Sequence, residues 1–217
     1  MGDGVKVDSE LMFKRLERLH ENWMTHKSSE WGGVDAICIP MGTSDQDQVN
    51  YSKSSALHLH LLGYEFPDTI MILMKNQFYV MAHPKKCGYI ERAAGEKPDS
   101  FIKVTCFPKG KDEALNKENF AKLIHAIQAN GENRRLGTLL KDNFNGNFIS
   151  SWQQVLSASD LTTSECSAPL GRLLSVKDET EIESCRRAAA LSNKVRIDDH
   201  IFLVHCFSIL KSCNLVR

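Results

Sequence analysis

The sequence predicts an α/β fold: a three-layer domain in which a mixed sheet is flanked by helices. Short apolar or alternating segments typical of strands recur along the chain, and segments with helical spacing of about ten to fifteen residues separate them. Helices between strands favour parallel neighbours. One pair of strands is instead joined by a short turn, which makes that pair antiparallel, so the sheet is expected to be mixed.

Composition limits the classes of function before any motif is considered. The chain has 217 residues, 42% hydrophobic and 25% charged, which is ordinary for a globular protein. Its 27 basic and 27 acidic residues cancel, so no net field draws it to DNA or to an anionic membrane. Seven cysteines without CxxC spacing favour free thiols in a reducing compartment. The longest apolar run, 201–210, is too short to span a bilayer.

An amphipathic helix is predicted over residues 8–24, because apolar side chains recur there at helical spacing with charged residues between them. The apolar stripe consists of Met12, Leu16, Leu19 and Trp23. A strand over 34–39 follows, and we expect it to end at Pro40, since proline cannot donate a hydrogen bond to a sheet.

Residues 51–74, YSKSSALHLHLLGYEFPDTIMILM, carry the clearest succession of signals in the chain. Ser52 or Ser54 can cap a helix by accepting hydrogen bonds from its free N–H groups, and Gly63 can end it in the left-handed conformation. Residues 64–68 form a polar corner. The run 69–74 is rich in apolar and β-branched residues, which predicts a strand buried in the sheet.

The middle of the chain continues the alternation of strands and helices. A strand over 78–82 forms a hairpin with the preceding strand through a turn at Asn76. The further elements are a helix from Pro84 to about Ala94, a strand over 101–107 closed by Pro108, a helix over 117–130 capped by Asn116 and stopped by Gly131, a strand over 136–140 and a helix over 148–158.

A domain boundary is predicted over residues 175–181. Asp178 and Glu181 form an approximate capping box that starts a helix, and residues 196–217 do not continue its pattern but resemble a strand. We therefore expect residues 1–176 to form the α/β domain and residues 177–217 to hold a fragment of a second domain with a divergent tail.

The residues that carry chemistry do not assemble into a catalytic or metal-binding pattern. His58 and His60 are two apart on a predicted helix, so they point to opposite faces and cannot share one metal ion. The cluster Asp198, Asp199 and His200 matches no known ligand spacing. The sequence also lacks a GxSxG motif, a Cys–His signature and a glycine-rich phosphate loop. We expect no catalytic residue, metal ion or cofactor.

Loop position and polarity indicate where a partner would bind instead. Loop residues on a rigid scaffold often make functional contacts, and the corner between the helix and the buried strand is such a loop. The candidate partner surface consists of Lys53, Tyr64, Glu65, Lys85 and Lys86. A purely structural corner, with the tyrosine packed over the turn, is the alternative interpretation.

The chain resembles the amino-terminal part of the large subunit of FACT, a histone chaperone complex. The resemblance is carried by residues 51–74 together with LERLHENW, VDAICIP, KDNFNGNFISSWQQVL and SVKDETEIESCRRAAALSNKV, in order over about residues 8 to 195. It implies a first domain similar to the amino lobe of creatinases and prolidases, followed by a pita-bread domain of aminopeptidase type of which only the first helix is present.

This resemblance implies a non-enzymatic protein of the nucleus and chromosome. It implies nucleosome reorganisation during transcription, replication and DNA repair through protein–protein contacts, with core histones and the smaller FACT subunit as partners. The resemblance leaves two alternatives open. The chain could be a relative of creatinase-type metallopeptidases without their catalytic half, or a truncated product without function.

Overall fold

The computed structural model describes residues 5–43, 52–142 and 144–193. Its strands are β1 (Ala36–Met41), β2 (Thr69–Leu73), β3 (Gln77–Ala82), β4 (Lys103–Pro108), β5 (Arg135–Thr138) and β6 (Thr162–Glu165). Its helices are α1 (Ser9–Thr25), α2 (Lys53–Leu62), α3 (Pro84–Gly95), α4 (Glu113–Asn130), α5 (Asn147–Ser157), α6 (Ser167–Ser175) and α7 over 179–193. The chain divides into two compact units, Met1–Leu174 and Ser175–Arg217.

The six strands form one sheet in the order β4-β3-β2-β1-β5-β6. The pairs β1–β2 and β2–β3 are antiparallel, whereas β3–β4, β1–β5 and β5–β6 are parallel. Strand β2 therefore runs opposite to the other five described strands. This arrangement confirms the predicted mixed sheet and the hairpin between β2 and β3.

Helices cover both faces of this sheet and enclose two hydrophobic clusters. Alternate residues of β1 and β2 point to opposite faces, so Ile37 and Met71 belong to one cluster while Cys38 and Ile72 belong to the other. Helices α1, α2, α3 and α6 contribute to the first cluster, and α4 and α5 contribute to the second. The predicted α/β class and three-layer arrangement are confirmed.

Most predicted elements agree with the structure to within about two residues. One exception is α4, which begins four positions before the predicted start at residue 117. Asp112 caps the helix by accepting a hydrogen bond from the backbone N–H of Ala114 at 2.9 Å. Asn116, predicted as the cap, lies inside the helix, and its side chain donates to the carbonyl of Gly110 at 3.1 Å.

A second difference concerns the end of β1. The strand continues through Pro40, which lies opposite Ile70 of β2, and ends at Met41. Proline removes one donor from a strand but keeps its carbonyl acceptor and is compatible with an extended backbone. The prediction that Pro40 ends the strand was therefore wrong.

Two elements, β6 and α6, were not predicted from the sequence. Strand β6 has the sequence TTSE, which is short and has no alternation of apolar and polar residues. Helix α6 contains Pro169 and Gly171, both unfavourable inside helices, although Pro169 lies in the first turn, where proline is tolerated. Its leucines Leu170 and Leu173 are buried in the first cluster.

The second unit contains α7. The predicted capping box is present, because the backbone N–H of Glu181 donates to Asp178 at 2.9 Å and that of Asp178 donates to Glu181 at 3.0 Å. The predicted tail over 196–217 and its Asp198–His200 cluster lie outside the described residues. No helix within the described ranges is both long and apolar enough to cross a membrane.

We predict that Gly137→Ala lowers the free energy of unfolding by about 1–3 kcal/mol. A Cβ atom at Gly137 in β5 would lie 2.6 Å from Sγ of Cys166 and 3.1 Å from a methyl group of Val34, both of which are fully buried. Urea unfolding followed by circular dichroism measures the change. In the control Gly88→Ala, the new Cβ atom has no neighbour within 4 Å, and helix propensity favours alanine. Equal stability of Gly137→Ala and the natural chain would contradict this account of the packing.

Candidate partner-binding surface

Helix α2 fixes the position of the corner that the sequence singled out. Ser52 caps this helix by accepting a hydrogen bond from the N–H of Ser55 at 3.0 Å. Ser54 does not act as a cap, because its hydroxyl donates to Asp142 at 2.7 Å. Gly63 ends the helix at a φ of 74°, in the left-handed region that glycine adopts without strain. The predicted cap at Ser52 and stop at Gly63 are thus present.

A buried histidine holds the corner from inside. His58 is fully buried, and its Nδ1 accepts a hydrogen bond from the backbone N–H of Phe66 at 3.3 Å. Burial lowers the pKa of His58 to about 3, and the positive charge of Lys86 acts in the same direction. The imidazole is therefore neutral near pH 7, as its acceptor role requires. His60, on the same helix, is also buried.

The two lysines at the start of α3 have different surroundings, since Lys86 contacts the corner and Lys85 is exposed. Nζ of Lys86 donates to the carbonyl of Pro67 and lies 5.8 Å from the centroid of the Phe66 ring. Burial is the main cause of a lowered pKa of Lys86, with Asp68 opposing this effect and Lys109 adding to it. Lys85 is exposed to solvent. Lys86 therefore stabilises the corner from its side, and Lys85 remains accessible.

The tip of the corner is open to solvent. Tyr64 is 39% exposed, and its ring stacks nearly parallel on Phe66 with 6.4 Å between the ring centroids. Glu65 is exposed next to it. This geometry combines the two interpretations of the sequence, because the tyrosine is packed over the turn and still presents an accessible aromatic ring beside a carboxylate.

Lys53 does not join this group. It begins α2, whereas Tyr64 follows the end of the same helix, and a rise of about 1.5 Å per residue separates their backbones by about 15 Å. Its side chain instead lies close to Gly171 in α6, where a Cβ atom added to the glycine would be 3.2 Å from Cε of Lys53. Of the five candidate residues, Tyr64 and Lys86 both lie near the ring of Phe66, Glu65 follows Tyr64 in the chain, and Lys85 is exposed at the start of α3.

A cleft of about 620 Å³ lies at the carboxyl ends of β3 and β4. Its lining includes the starts of α3, α4 and α5, the loop 109–111 and the rings of Phe120 and Phe148. Lys109 connects it to the corner, because its Nζ donates to Asp68 at 2.6 Å and lies 4.6 Å from the centroid of Phe148. Ammonium groups, amides and aromatic rings suit noncovalent binding.

Sequence reasoning did not identify this cleft, because its walls come from three segments far apart in the chain. Ligands bind outside the carboxyl ends of strands in open α/β sheets, so the end of β4 at Pro108, followed by Lys109 and Lys111, is the signal that could have indicated it.

The fold is thus that of an α/β lobe with an open cleft at the carboxyl ends of β3 and β4. Residues 7–169 match the family described as the FACT complex subunit SPT16 N-terminal lobe domain. The chain belongs to this family. It is 33% identical over 191 residues to FACT complex subunit ctc-2 of Neurospora crassa and 34% identical over 194 residues to FACT complex subunit SPT16 of Zea mays.

These alignments cover 85% and 87% of this chain, which spans 18% of the length of each relative. The N-terminal domain of FACT complex subunit SPT16 from Cicer arietinum superimposes with a TM-score of 0.81 at 25% identity, over 96% of this chain and 47% of that one. The corresponding domain from Eremothecium gossypii gives 0.71 at 26% identity, over 81% and 40%.

We predict that His58 makes stability depend on pH in a defined window. Its folded-state pKa lies below the unfolded value of about 6.5, so the unfolded chain binds more protons between about pH 6.5 and 3. The contribution of neutral His58 is complete above this window and is lost as the pH falls. Between about pH 7 and 5, the natural chain should lose about 2 kcal/mol more unfolding free energy than His58→Asn.

Asparagine suits this comparison because its side-chain oxygen can still accept from the N–H of Phe66 but does not titrate. Urea unfolding at several pH values measures both proteins, and all other titrating groups are common to them. Identical pH dependence in the two proteins would show that His58 is not buried in its neutral form.

Proposed function

We propose that this chain acts as a non-enzymatic part of the FACT histone chaperone, which reorganises nucleosomes during transcription, replication and DNA repair. The observation that carries the proposal is the match of residues 7–169 to the SPT16 N-terminal lobe, supported by the superposition on the chickpea domain. Its site of action would be the nucleus and the chromosome. Residues 1–176 would form the amino lobe, and residues 177–217 would begin the pita-bread domain with a divergent tail.

Core histones and the smaller FACT subunit are the proposed partners. The equal numbers of basic and acidic residues support contacts with proteins over tight binding to nucleic acid, which depends on neutralising many phosphates. The corner offers an accessible tyrosine ring, a residue type in which protein interfaces are enriched, next to the exposed carboxylate of Glu65.

The first contact surface to test is the tip of the corner, Tyr64 and Glu65. Neither side chain takes part in the hydrogen bonds that hold the corner, since His58 and Lys86 bind its backbone at Phe66 and Pro67. A loss of binding in such a variant would therefore report on the surface and not on the fold.

We predict that the full chain, immobilised through a tag, retains core histones at near-physiological salt. The double variant Tyr64→Ala/Glu65→Ala should retain several-fold less, because an aromatic anchor and a charge are removed together. Quantitative pull-down with purified histones measures this, and circular dichroism verifies that each variant is folded.

The matched control is Glu96→Ala/Lys97→Ala, which removes two exposed side chains at the far end of α3. It should retain histones like the natural chain. Full retention by the Tyr64/Glu65 variant would exclude the corner as the contact surface. No retention by the natural chain would contradict histone binding by this lobe.

A further inference from the structure

A second concave surface lies on α1, along its last two turns. It encloses about 440 Å³ between that helix and the segment that precedes β4. We call it the α1 groove, and its lining residues are Glu17, His20, Glu21, Met24, Thr25 and Phe101. None of these residues belongs to the corner or to the cleft described above.

Phe101 forms an open aromatic wall of this groove. Its side chain is 51% exposed, an unusual exposure for a phenylalanine. The ring is nevertheless fixed, because it packs against His20 with 5.0 Å between ring centroids, and His20 in turn packs edge-on against the buried Trp23 at 6.1 Å. The next residue, Ile102, is buried and anchors the backbone at this point. The contact with His20 therefore fixes the position of the Phe101 ring, and the rest of the ring is exposed to solvent.

Two carboxylates stand beside this aromatic wall. Glu17 and Glu21 are four residues apart on α1, so their side chains lie on the same face one turn apart. Neither has a hydrogen bond or ion pair within the described parts of the chain. Like charges at this spacing destabilise a helix, and a cation bound between them would relieve that repulsion.

The end of α1 adds to the negative potential. The last turn of a helix carries partial negative charge from its free carbonyl groups, and α1 has no basic residue there to neutralise it. Burial lowers the pKa of His20, so its ring is largely neutral near pH 7 and does not act as a competing cation. Arg18 points elsewhere, with its guanidinium donating to the carbonyl of Leu173. The positive charge of Lys75 also lowers the pKa of His20.

We propose that the α1 groove binds a lysine or arginine side chain from a basic protein segment. The cationic head lies over the open face of Phe101 and between the carboxylates of Glu17 and Glu21, while Met24 contacts the aliphatic stem. Charge complementarity selects this occupant, because the two carboxylates, a helix carboxyl end and an aromatic face each attract a cation. The α1 groove shares no lining residue with the corner, so cation binding there does not depend on whether the corner binds histones.

The test uses the full chain labelled with ¹⁵N and a capped tripeptide, Gly-Lys-Gly, titrated while amide chemical shifts are recorded. Saturable shifts should concentrate at residues 17–25 and 100–102. The tripeptide with arginine should do the same. A tripeptide with norleucine, which keeps the aliphatic stem without the charge, should bind about tenfold more weakly. Equal binding of the norleucine peptide would overturn the proposal, as would shifts spread evenly over the surface.

Variants separate the two parts of the site. Phe101→Ala and the double variant Glu17→Gln/Glu21→Gln should each weaken the lysine peptide about fivefold or more. The controls Leu115→Ala, another exposed apolar residue, and Glu10→Gln, another acid of α1, should leave the affinity unchanged. Wild-type affinity in both groove variants, with natural amide spectra elsewhere, would also overturn the proposal. This test contains no histone, so its failure is distinguishable from failure of the pull-down.

Discussion

The pairing of β1 with β2 at the centre of the sheet is the constraint on which the rest of the lobe depends. All residues of β2 are buried, and so are all those of β1 except Pro40. A strand without a solvent-facing side must be covered on both faces, and this requirement accounts for helices on each side of the sheet. The four helices of one layer and the two of the other supply that cover.

This burial also determines where the lobe can interact with other molecules. The faces of the sheet are occupied by core packing, so accessible recognition groups are left at loop ends and on the outer sides of helices. Two hydrogen bonds hold the corner from below: the buried His58 binds the backbone of Phe66, and the half-buried Lys86 binds that of Pro67. The exposed Tyr64 is thereby presented by a rigid support, which lowers the entropic cost of binding a partner.

Much of the fold could be predicted from the sequence because its signals are local. The stripe from Met12 to Trp23, the Ser52 cap, the Gly63 stop and the apolar run of β2 each depend on neighbouring residues alone. Element α6 could not be predicted, because burial of Leu170 and Leu173 overrides a proline and a glycine in its sequence. Tertiary packing decides such cases, and its gain is not visible in a local pattern.

The candidate site was less predictable for the same reason. Polarity and loop position identified the corner, but they could not show that Lys86 is engaged by Pro67 while Lys85 is exposed, or that Lys53 lies a helix length away. The cleft and the α1 groove each combine residues from distant segments. Glu17 and Glu21 appear in the sequence as an ordinary solvated helix face, and only the position of Phe101 beside them gives them a common role.

Native-state hydrogen exchange measures the central constraint most directly. If β1 and β2 form the fully covered centre, the amides of Thr69–Leu73 should exchange only through global unfolding, with the free energy obtained from urea denaturation. The edge strands β4 and β6 should exchange through smaller openings of lower free energy. Exchange of β2 amides at a lower free energy than those of β4 would contradict the account, since the lobe would then be organised around a different part of the sheet.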